Sequence, residues 1–320
     1  MRIVFCGTPQ FAVPTLKHLL AQPDFQIAGV ISQPDRPRGR GQVVSPSPVK
    51  AVALAAGLPV HQPEKIRSAE ARELLEKLAP DLIVIIAYGQ IIPAPLLSIP
   101  KFGWINLHAS LLPKYRGAAP INWAIANGDT RTGVTTMRID AGMDTGEILL
   151  QRETSIGATE TAPELSARLA EAGAPLMEET LRGLMAGKIM GRTQDGSRAT
   201  YAPLLKREDG RIEWSRSAKE IFDRMRAFAP WPGAYATFRG QTCHIWGEPV
   251  SKQMRNETIE GNTGVAYGTL LQEKDELHVV CGGTTVLHVL TVKVEGRKQV
   301  TAAEFANGAR LKAGERFGIT

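Results

Sequence analysis

The sequence predicts an α/β fold whose first domain is an open, mostly parallel sheet and whose second domain is a small all-β barrel. Three observations support this prediction. In the first half of the chain, short apolar runs alternate with segments of helical spacing. Residues 82–87 are apolar without interruption, which is typical of a strand buried on both faces of a parallel sheet. Beyond residue 200, short β-rich runs follow one another between turns, as in small barrels.

The elements of the first half follow in order from this spacing. Apolar or β-rich runs predict strands at residues 2–6, 27–32, 82–87, 104–108, 133–139 and 147–152. Helical spacing predicts helices at residues 11–21, 48–57, 68–78 and 159–187. The uninterrupted strand at 82–87 is expected near the centre of the sheet. The alternation as a whole is that of a Rossmann-like domain.

The second half follows a polar, turn-rich stretch that begins near residue 192 and predicts a linker. We therefore predict a first domain at residues 1–190, a linker at 191–208 and a C-terminal domain at 209–320. In the C-terminal domain an amphipathic helix precedes five short strands, at residues 217–228, 234–238, 242–246, 264–271, 276–280 and 285–294. Their regular spacing predicts an OB-like barrel, a fold that suits a basic protein.

Composition narrows the class of protein. The chain has 320 residues, a net charge of +6 and a pI near 9.3, which favours an anionic partner. Cys6, Cys243 and Cys281 are far apart, so neither a disulfide framework nor a zinc site is indicated, and no metal is expected. The longest apolar run is far shorter than the roughly 20 residues of a membrane span. Because MRIVFCG carries no signal or leader pattern, we expect a bacterial cytoplasmic protein.

Two segments partly match nucleotide-binding motifs, but neither motif is complete. Gly7 ends the first predicted strand, but the next three residues supply no further glycine of a dinucleotide-binding fingerprint. The segment GLMAGK at 183–188 is one residue short of a phosphate loop, and Ile189 stands where a hydroxyl is required. A nicotinamide, flavin or nucleotide-triphosphate enzyme is therefore not indicated.

Candidate catalytic residues follow two neighbouring predicted strands. Asn106 and His108 alternate along the strand at 104–108 and share one face, next to the edge where open α/β sheets bind ligands. Asp144 lies in a turn after the next strand, where Gly142 and Gly146 permit a tight backbone, and we expect it to pair with His108. A single histidine at a strand end is more often structural. The functional interpretation therefore depends on the combination of the three polar side chains.

The chemistry of this combination is that of direct transfer. An Asn, a His and an Asp without a Ser or Cys nucleophile indicate transfer between substrates rather than a covalent enzyme intermediate. An asparagine amide can donate a hydrogen bond to a developing oxyanion. Histidine exchanges protons near neutral pH, and an aspartate orients it. The set fits acyl transfer to an amine.

The chain closely resembles the methionyl-tRNA formyltransferase family over essentially its whole length, in the segments FCGTPQF (5–11), QPDRPRGRGQ (33–42), NLH (106–108), SLLP (110–113), YRGAAPI (115–121), GMDTG (142–146) and WP (231–232). The NLH, SLLP and Asp144 features are shared with other 10-formyltetrahydrofolate enzymes, including glycinamide ribonucleotide formyltransferase. They therefore indicate the formyl donor. The arginine-rich segment and the C-terminal domain indicate the acceptor.

The resemblance implies that 10-formyltetrahydrofolate donates its formyl group to the α-amine of methionyl initiator tRNA. It implies that Asn106 and His108 stabilise the oxyanion and that Asp144 sets the charge of His108. The formyltransferase core would hold the donor through Ser110, Leu111, Leu112, Pro113, Gln90, Ile91 and Ile92. Contacts to the tRNA acceptor stem would come from Arg36, Arg38 and Arg40, with Lys206 along its end. The C-terminal barrel would bind tRNA, and the enzyme would act as a monomer without metal.

Two kinds of alternative remain at this stage. A formyltransferase acting on a small amine, or a formyltetrahydrofolate hydrolase, would share Asn106, His108 and Asp144 but take another acceptor. An RNA-binding protein whose α/β domain has lost catalysis would keep the basic surface alone. The loop around Arg40 argues against the first kind, and the presence of all three polar side chains argues against the second.

Overall fold

The computed structural model describes residues 1–38, 43–250 and 264–318. Contacts between residues divide the chain into two compact units. The first unit comprises Met1–Ile121, Arg131–Ile156 and Glu164–Pro203, and the second comprises Asn122–Thr130, Gly157–Pro163 and Leu204–Thr320.

The first unit is built on a seven-stranded sheet. The strands along this part of the chain are β1 (Arg2–Gly7), β2 (Gln26–Ile31), β3 (Pro37–Arg38), β4 (Val43–Val44), β5 (Val60–His61), β6 (Leu82–Ile86), β7 (Trp104–His108), β8 (Arg116–Gly117), β9 (Arg131–Arg138), β10 (Ile148–Ser155) and β11 (Tyr201–Ala202). The helices are α1 (Val13–Leu20), α2 (Pro48–Ala55), α3 (Ala69–Leu78), α4 (Ala94–Leu97), α5 (Pro120–Ala126) and α6 (Ala162–Met185). Both α5 and α6 contain residues of both units.

The order of strands in this sheet is β10-β9-β7-β6-β1-β2-β5. The five strands from β7 to β5 are parallel, whereas β9 and β10 form an antiparallel pair at one edge. The predicted mostly parallel sheet is therefore confirmed. All five residues of β6 are buried, and β6 occupies the middle position, as its uninterrupted apolar sequence predicts.

Local sequence sets the ends of several helices. Ser47 and Ser68 cap α2 and α3 by accepting hydrogen bonds from backbone N–H groups of the first turn. The predicted helix at 11–21 is instead a 3₁₀ turn over Gln10–Ala12 followed by α1, in which Pro14 lies in the first turn. Between α2 and α6, the sequence-based prediction missed the short helices α4 and α5.

The second unit is an antiparallel β domain with two helices. Its elements are α7 (Ala218–Phe228), β12 (Tyr235–Phe238), β13 (Gln241–Pro249), β14 (Leu270–Glu273), β15 (Glu276–Cys281), β16 (Thr285–Val294), β17 (Val300–Thr301) and α8 (Ala302–Ala309). The sheet order is β12-β13-β16-β15-β14, and β17 pairs with β16.

The second unit differs from the sequence-based prediction in two places. The strand expected at 264–271 is instead β14, which begins at Leu270 and ends at Glu273. Gly264 and Gly268 have positive φ angles of 97° and 84°, which a regular strand does not adopt. The helix α8 was not predicted, although Thr301 and Glu304 form the capping box that marks its start. Within the described residues, no helix is both long and apolar enough to cross a membrane.

Candidate active site

The carboxyl end of β7 carries the first two candidate residues. His108 is buried, and its Nε2 lies 2.9 Å from the carbonyl oxygen of Tyr115. Because a carbonyl can only accept, Nε2 carries the proton of this hydrogen bond, and Nδ1 is the ring atom left to face other groups. Asn106 is half-buried on the same face, and none of the described residues makes a hydrogen bond to its side chain. Its amide is free to bind a ligand.

The residues that link β9 to β10, here called the 140–147 loop, bring Asp144 to His108. The Asp144 Oδ2 atom lies 3.7 Å from His108 Nδ1 and accepts a hydrogen bond of 2.8 Å from the backbone N–H of Gly117. Because β9 is antiparallel to β7, its carboxyl end lies beside Ile105 rather than beside His108. The loop must therefore turn back along β7, and Asp144 adopts a positive φ of 53°. The expected pairing of Asp144 with His108 is observed.

Two glycines make this close approach possible. A Cβ atom on Gly146 would lie 1.9 Å from the carbonyl oxygen of Arg138, so the loop can pass β9 only without a side chain there. Gly117 has a φ of 119°, and a Cβ atom on it would lie 2.7 Å from the carbonyl oxygen of Ala202. Both positions therefore require glycine.

The SLLP turn leaves the same strand end as His108. The Ser110 hydroxyl donates to the carbonyl oxygen of Lys114 at 2.6 Å, and the Ser110 carbonyl accepts from the Thr135 hydroxyl at 2.6 Å. Gln151 donates to the carbonyl oxygen of Leu112 at 3.0 Å. Ser110 and Leu112 are buried, whereas Leu111 and Pro113 are half-buried. Hydrogen bonds from β9 and β10 thus fix the turn beside the polar residues.

A cavity of about 1020 Å³ lies in the first unit. It is lined by Thr8, Gln33, Pro34, Arg36, Pro37, Glu64, Lys65, Ile66, Arg67, Gly89, Gln90, Ile91 and Pro93. Of the seven residues predicted to hold the donor, Gln90 and Ile91 line this cavity, and Ile91 is 90% exposed. Ile92 is instead buried in the core, where it packs in one cluster with Leu96 and Trp104.

The cavity wall contains basic residues that the sequence-based analysis missed. Lys65 and Arg67 follow β5, a strand at the edge of the parallel sheet, and they line the cavity together with Arg36. Their position after a parallel strand is the signal that could have identified them. Gln90 holds the segment from Lys65 to Arg67 in place, because its Oε1 accepts a hydrogen bond from the Ile66 N–H at 2.8 Å.

The arginine-rich segment is anchored at its base. Lys50 Nζ forms an ion pair with Asp35 Oδ2, and Gln62 donates to Asp35 Oδ1 at 2.9 Å. The Lys50 ammonium group holds the pKa of Asp35 below its ordinary value. Arg36 is exposed on the cavity wall, and Arg38 belongs to β3, which pairs with β4. Arg40 lies outside the described residues.

Lys206 belongs to the second unit and is exposed. Its backbone N–H donates to Asp209 Oδ2 at 2.7 Å, at the start of a 3₁₀ turn. A contact between Lys206 and tRNA stays a prediction.

Possible metal ligands occur in the second unit. Among the described residues, Glu276, His278 and His288 each bring one ligand atom within 4.8 Å of the others. Burial lowers the pKa of His278, which keeps its imidazole neutral near pH 7. The three cysteines are buried and unpaired, and burial raises the pKa of each thiol. None of these groups belongs to the site around His108, and the expectation of a metal-free reaction stays a prediction.

Comparison with known families gives the class of this protein. A family model described as formyl transferase matches residues 1–181, and the model of the formyl transferase C-terminal domain matches residues 204–310. A methionyl-tRNA formyltransferase of Solibacter usitatus is 52% identical over 318 residues, covering 99% of both chains. The protein of that name from Acidobacterium capsulatum is 50% identical over 319 residues, covering 99% of this chain and 100% of its own. The chain belongs to the methionyl-tRNA formyltransferase family.

Solved structures of lower identity share the fold. One is WlaRD, described as a sugar 3N-formyl transferase in the presence of dTDP and 5-N-formyl-THF, with a TM-score of 0.64 at 18% identity over 93% of this chain and 99% of that chain. Another is HypX from Aquifex aeolicus in complex with tetrahydrofolic acid, with a TM-score of 0.60 at 16% identity over 96% of this chain and 48% of that chain. The predicted α/β core with a C-terminal β domain is confirmed.

Proposed function

We propose that this chain transfers the formyl group of 10-formyltetrahydrofolate to the α-amino group of methionyl initiator tRNA, which yields N-formylmethionyl-tRNA for translation initiation. The observation that carries the proposal is the likeness, over 99% of the chain, to relatives named methionyl-tRNA formyltransferase. The juxtaposition of His108 and Asp144 at the carboxyl end of β7 supplies the chemistry.

In the reaction, the amine nitrogen bonds to the formyl carbon, and the formyl oxygen gains negative charge. The bond from this carbon to N10 of the folate then breaks, N10 keeps the electron pair, and the proton lost by the amine ends on N10. Asn106 and His108 stabilise the charged oxygen, each by donating a hydrogen bond. A hydrogen-bond donor aimed at a developing oxyanion typically lowers the barrier by a few kcal/mol.

The geometry around His108 suggests which ring atom takes part. Asp144 faces Nδ1, so Nε2 is the ring atom that can donate a hydrogen bond to the substrate. In the protein alone, Nε2 is engaged by the neutral carbonyl of Tyr115. An oxyanion is a stronger acceptor than a neutral carbonyl, so it competes for this proton as charge develops. Asp144 then stabilises the imidazolium form and assists proton transfer.

The donor binds beside Ser110, Leu111, Leu112 and Pro113, in this proposal, and extends along Gln90 and Ile91. Ile92 supports that segment from the core rather than by direct contact. The donor also carries a glutamate with two carboxylates. The ammonium and guanidinium groups of Lys65 and Arg67 at the cavity wall match that negative charge, with Glu64 as the acidic exception.

The basic residues are the proposed contacts for the acceptor tRNA. Arg36, Arg38 and Arg40 would contact the acceptor stem, because a guanidinium group can donate two hydrogen bonds to a phosphate or a guanine edge. Lys206 would follow the acceptor end. Residues 1–190 form the catalytic domain in this proposal, 191–208 the linker and 209–320 the tRNA-binding barrel. The enzyme acts as a monomer in the bacterial cytoplasm, a location that the bacterial sources of its relatives favour.

A panel of acceptors tests the proposed function. We expect formyl transfer from 10-formyltetrahydrofolate to methionyl initiator tRNA and much less to methionyl elongator tRNA. Transfer to glycinamide ribonucleotide or to water instead would support a small-acceptor formyltransferase or a hydrolase. No turnover with any acceptor would support an RNA-binding protein. We also expect Arg40→Ala to weaken productive use of tRNA at unchanged folding.

A further inference from the structure

The 140–147 loop begins at the carboxyl end of β9, which lies beside Ile105 and not beside His108. It must carry Asp144 back toward His108, and Asp144 does so with a positive φ of 53°. Within the loop, Asp140 accepts hydrogen bonds from the Gly142 N–H and from the Thr145 hydroxyl, at 3.0 and 2.7 Å. These contacts shape the loop itself. From outside the loop, the Arg138 N–H donates to the Glu147 carbonyl at 2.9 Å and the Gly117 N–H donates to Asp144 Oδ2 at 2.8 Å. The backbone carbonyls of Asp144 and Gly146 need a further contact.

Gln194 makes this contact. Its Nε2 donates to the carbonyl oxygen of Asp144 at 2.8 Å and to that of Gly146 at 2.7 Å. The side chain is nine-tenths buried. Both amide hydrogens are therefore used on the two backbone carbonyls that flank Thr145, and one side chain holds this part of the loop.

The other end of the same amide binds the segment that touches both catalytic side chains. Gln194 Oε1 accepts from Arg116 Nε at 3.1 Å and from Arg116 Nη2 at 2.8 Å. Arg116 stands between Tyr115, whose carbonyl engages His108 Nε2, and Gly117, whose N–H engages Asp144 Oδ2. One amide group thus connects the loop of Asp144 to the segment that contacts His108.

The orientation of this amide follows from its partners. Two carbonyl oxygens can only accept, and a guanidinium group can only donate. A flipped amide would face its oxygen toward the carbonyls and its hydrogens toward Arg116, and it would lose all four hydrogen bonds. A glutamate at this position would keep the contact with Arg116 and place an oxygen against both carbonyls.

We propose that Gln194 is a positioning residue for formyl transfer, which holds Asp144 at its working distance from His108 by binding the Asp144 and Gly146 carbonyls and Arg116 together. The inference rests on the proposed function. Gln194 touches neither substrate in this account and acts through Asp144. Its loss should therefore reduce kcat, and KM for the donor and the tRNA should change little.

The test compares Gln194→Glu with Gln22→Glu. Gln22 is a matched control, because its Oε1 also accepts from an arginine, Arg182 at 3.3 Å, and its Nε2 also donates to a backbone carbonyl, that of His18 at 3.4 Å. Its contacts do not include any predicted site residue. We expect Gln194→Glu to lower kcat by about 10- to 100-fold, as small displacements of catalytic groups do. We expect Gln22→Glu to keep the wild-type kcat.

Two further readouts separate positioning from general destabilisation. A protonated glutamate regains one hydrogen-bond donor for the loop carbonyls. The activity of Gln194→Glu relative to the wild type should therefore rise as pH falls from 8 to 5. Hydrogen exchange should accelerate in residues 140–147 of the variant and remain unchanged in β6. Gln194→Met, which removes all four hydrogen bonds, should lower kcat at every pH without this recovery.

The outcomes are distinguishable from failure of the proposed function. If the wild-type protein transfers no formyl group, the proposed function fails, and the exchange experiment still tests the loop contact. If the wild type is active and folded Gln194→Glu has the same kcat, the inference is wrong. It is also wrong if exchange accelerates equally in residues 140–147 and in β6, because the loss of activity would then follow from general destabilisation.

Discussion

His108 Nδ1 lies 3.7 Å from Asp144 Oδ2, although the strands that precede these two residues run in opposite directions. The pair therefore depends on a loop that turns back along the sheet. The backbone N–H of Gly117, which donates to Asp144 Oδ2 at 2.8 Å, fixes the carboxylate from the other side.

Asp144→Asn removes the negative charge that faces His108 and keeps the shape of the side chain. The asparagine Oδ1 can still accept from Gly117, so folding should be preserved. We expect kcat for formyl transfer to fall by about 100- to 10,000-fold, the range of a group that assists proton transfer. Single-turnover kinetics measure the rate of formyl transfer, and circular dichroism measures folding. A folded variant with wild-type turnover would remove Asp144 from the mechanism.

Gly146→Ala places a Cβ atom 1.9 Å from the carbonyl oxygen of Arg138, so the loop must move. We expect a destabilisation of about 1–3 kcal/mol and a larger loss of kcat, because Asp144 moves with the loop. Gly196→Ala is the matched control, since its Cβ would meet nothing within 4 Å. Thermal unfolding and formyl transfer should both be unchanged in the control. Equal effects of the two substitutions would contradict the close approach at Gly146.

Arg67→Ala tests the basic wall of the cavity. If Arg67 binds a carboxylate of the donor, its loss should raise KM for 10-formyltetrahydrofolate by about tenfold and leave kcat within twofold. Arg72→Ala serves as the control, because Arg72 is exposed and pairs with Glu76 on α3. Steady-state kinetics with varied donor concentration measure the effect. An unchanged KM for 10-formyltetrahydrofolate in Arg67→Ala would contradict binding of the donor at this cavity wall.

Asp35→Asn tests the base of the arginine-rich segment. Lys50 lowers the pKa of Asp35 in the folded protein, so this carboxylate stabilises the fold above its ordinary pKa. That stabilisation is lost as pH falls through the lowered pKa, which lies below 3.8. We expect the variant to have a lower Tm than the wild type at pH 7, and we expect this difference in Tm to shrink as the pH falls below the ordinary pKa of an aspartate. A difference in Tm that does not depend on pH would contradict the ion pair as its cause.

Sequence periodicity predicted the strand that carries the site. The bounds of β7 match the prediction at 104–108, and β6 lies at the centre as expected. Both results follow from local features, namely alternation along β7 and continuous apolarity along β6. Periodicity carries no information on strand direction, so it did not reveal that β9 is antiparallel to β7.

The role of Gln194 could not be read from sequence for a related reason. Its partners are the backbone carbonyls of Asp144 and Gly146, about 50 residues away along the chain, and backbone groups leave no trace in residue identity. Lys65 and Arg67 differ in this respect. They follow an edge strand of the parallel sheet, and a prediction of β5 would have placed them at the edge where open α/β sheets bind ligands.

The most direct test of the central claim is a single-turnover reaction with a labelled formyl group on 10-formyltetrahydrofolate. Equal amounts of methionyl initiator and methionyl elongator tRNA compete as acceptors, with wild type and Asp144→Asn run in parallel. We expect label on the α-amine of the initiator with the wild type and a rate at least about 100-fold lower with Asp144→Asn. Label on neither tRNA, or equal transfer by both proteins, would contradict the assignment.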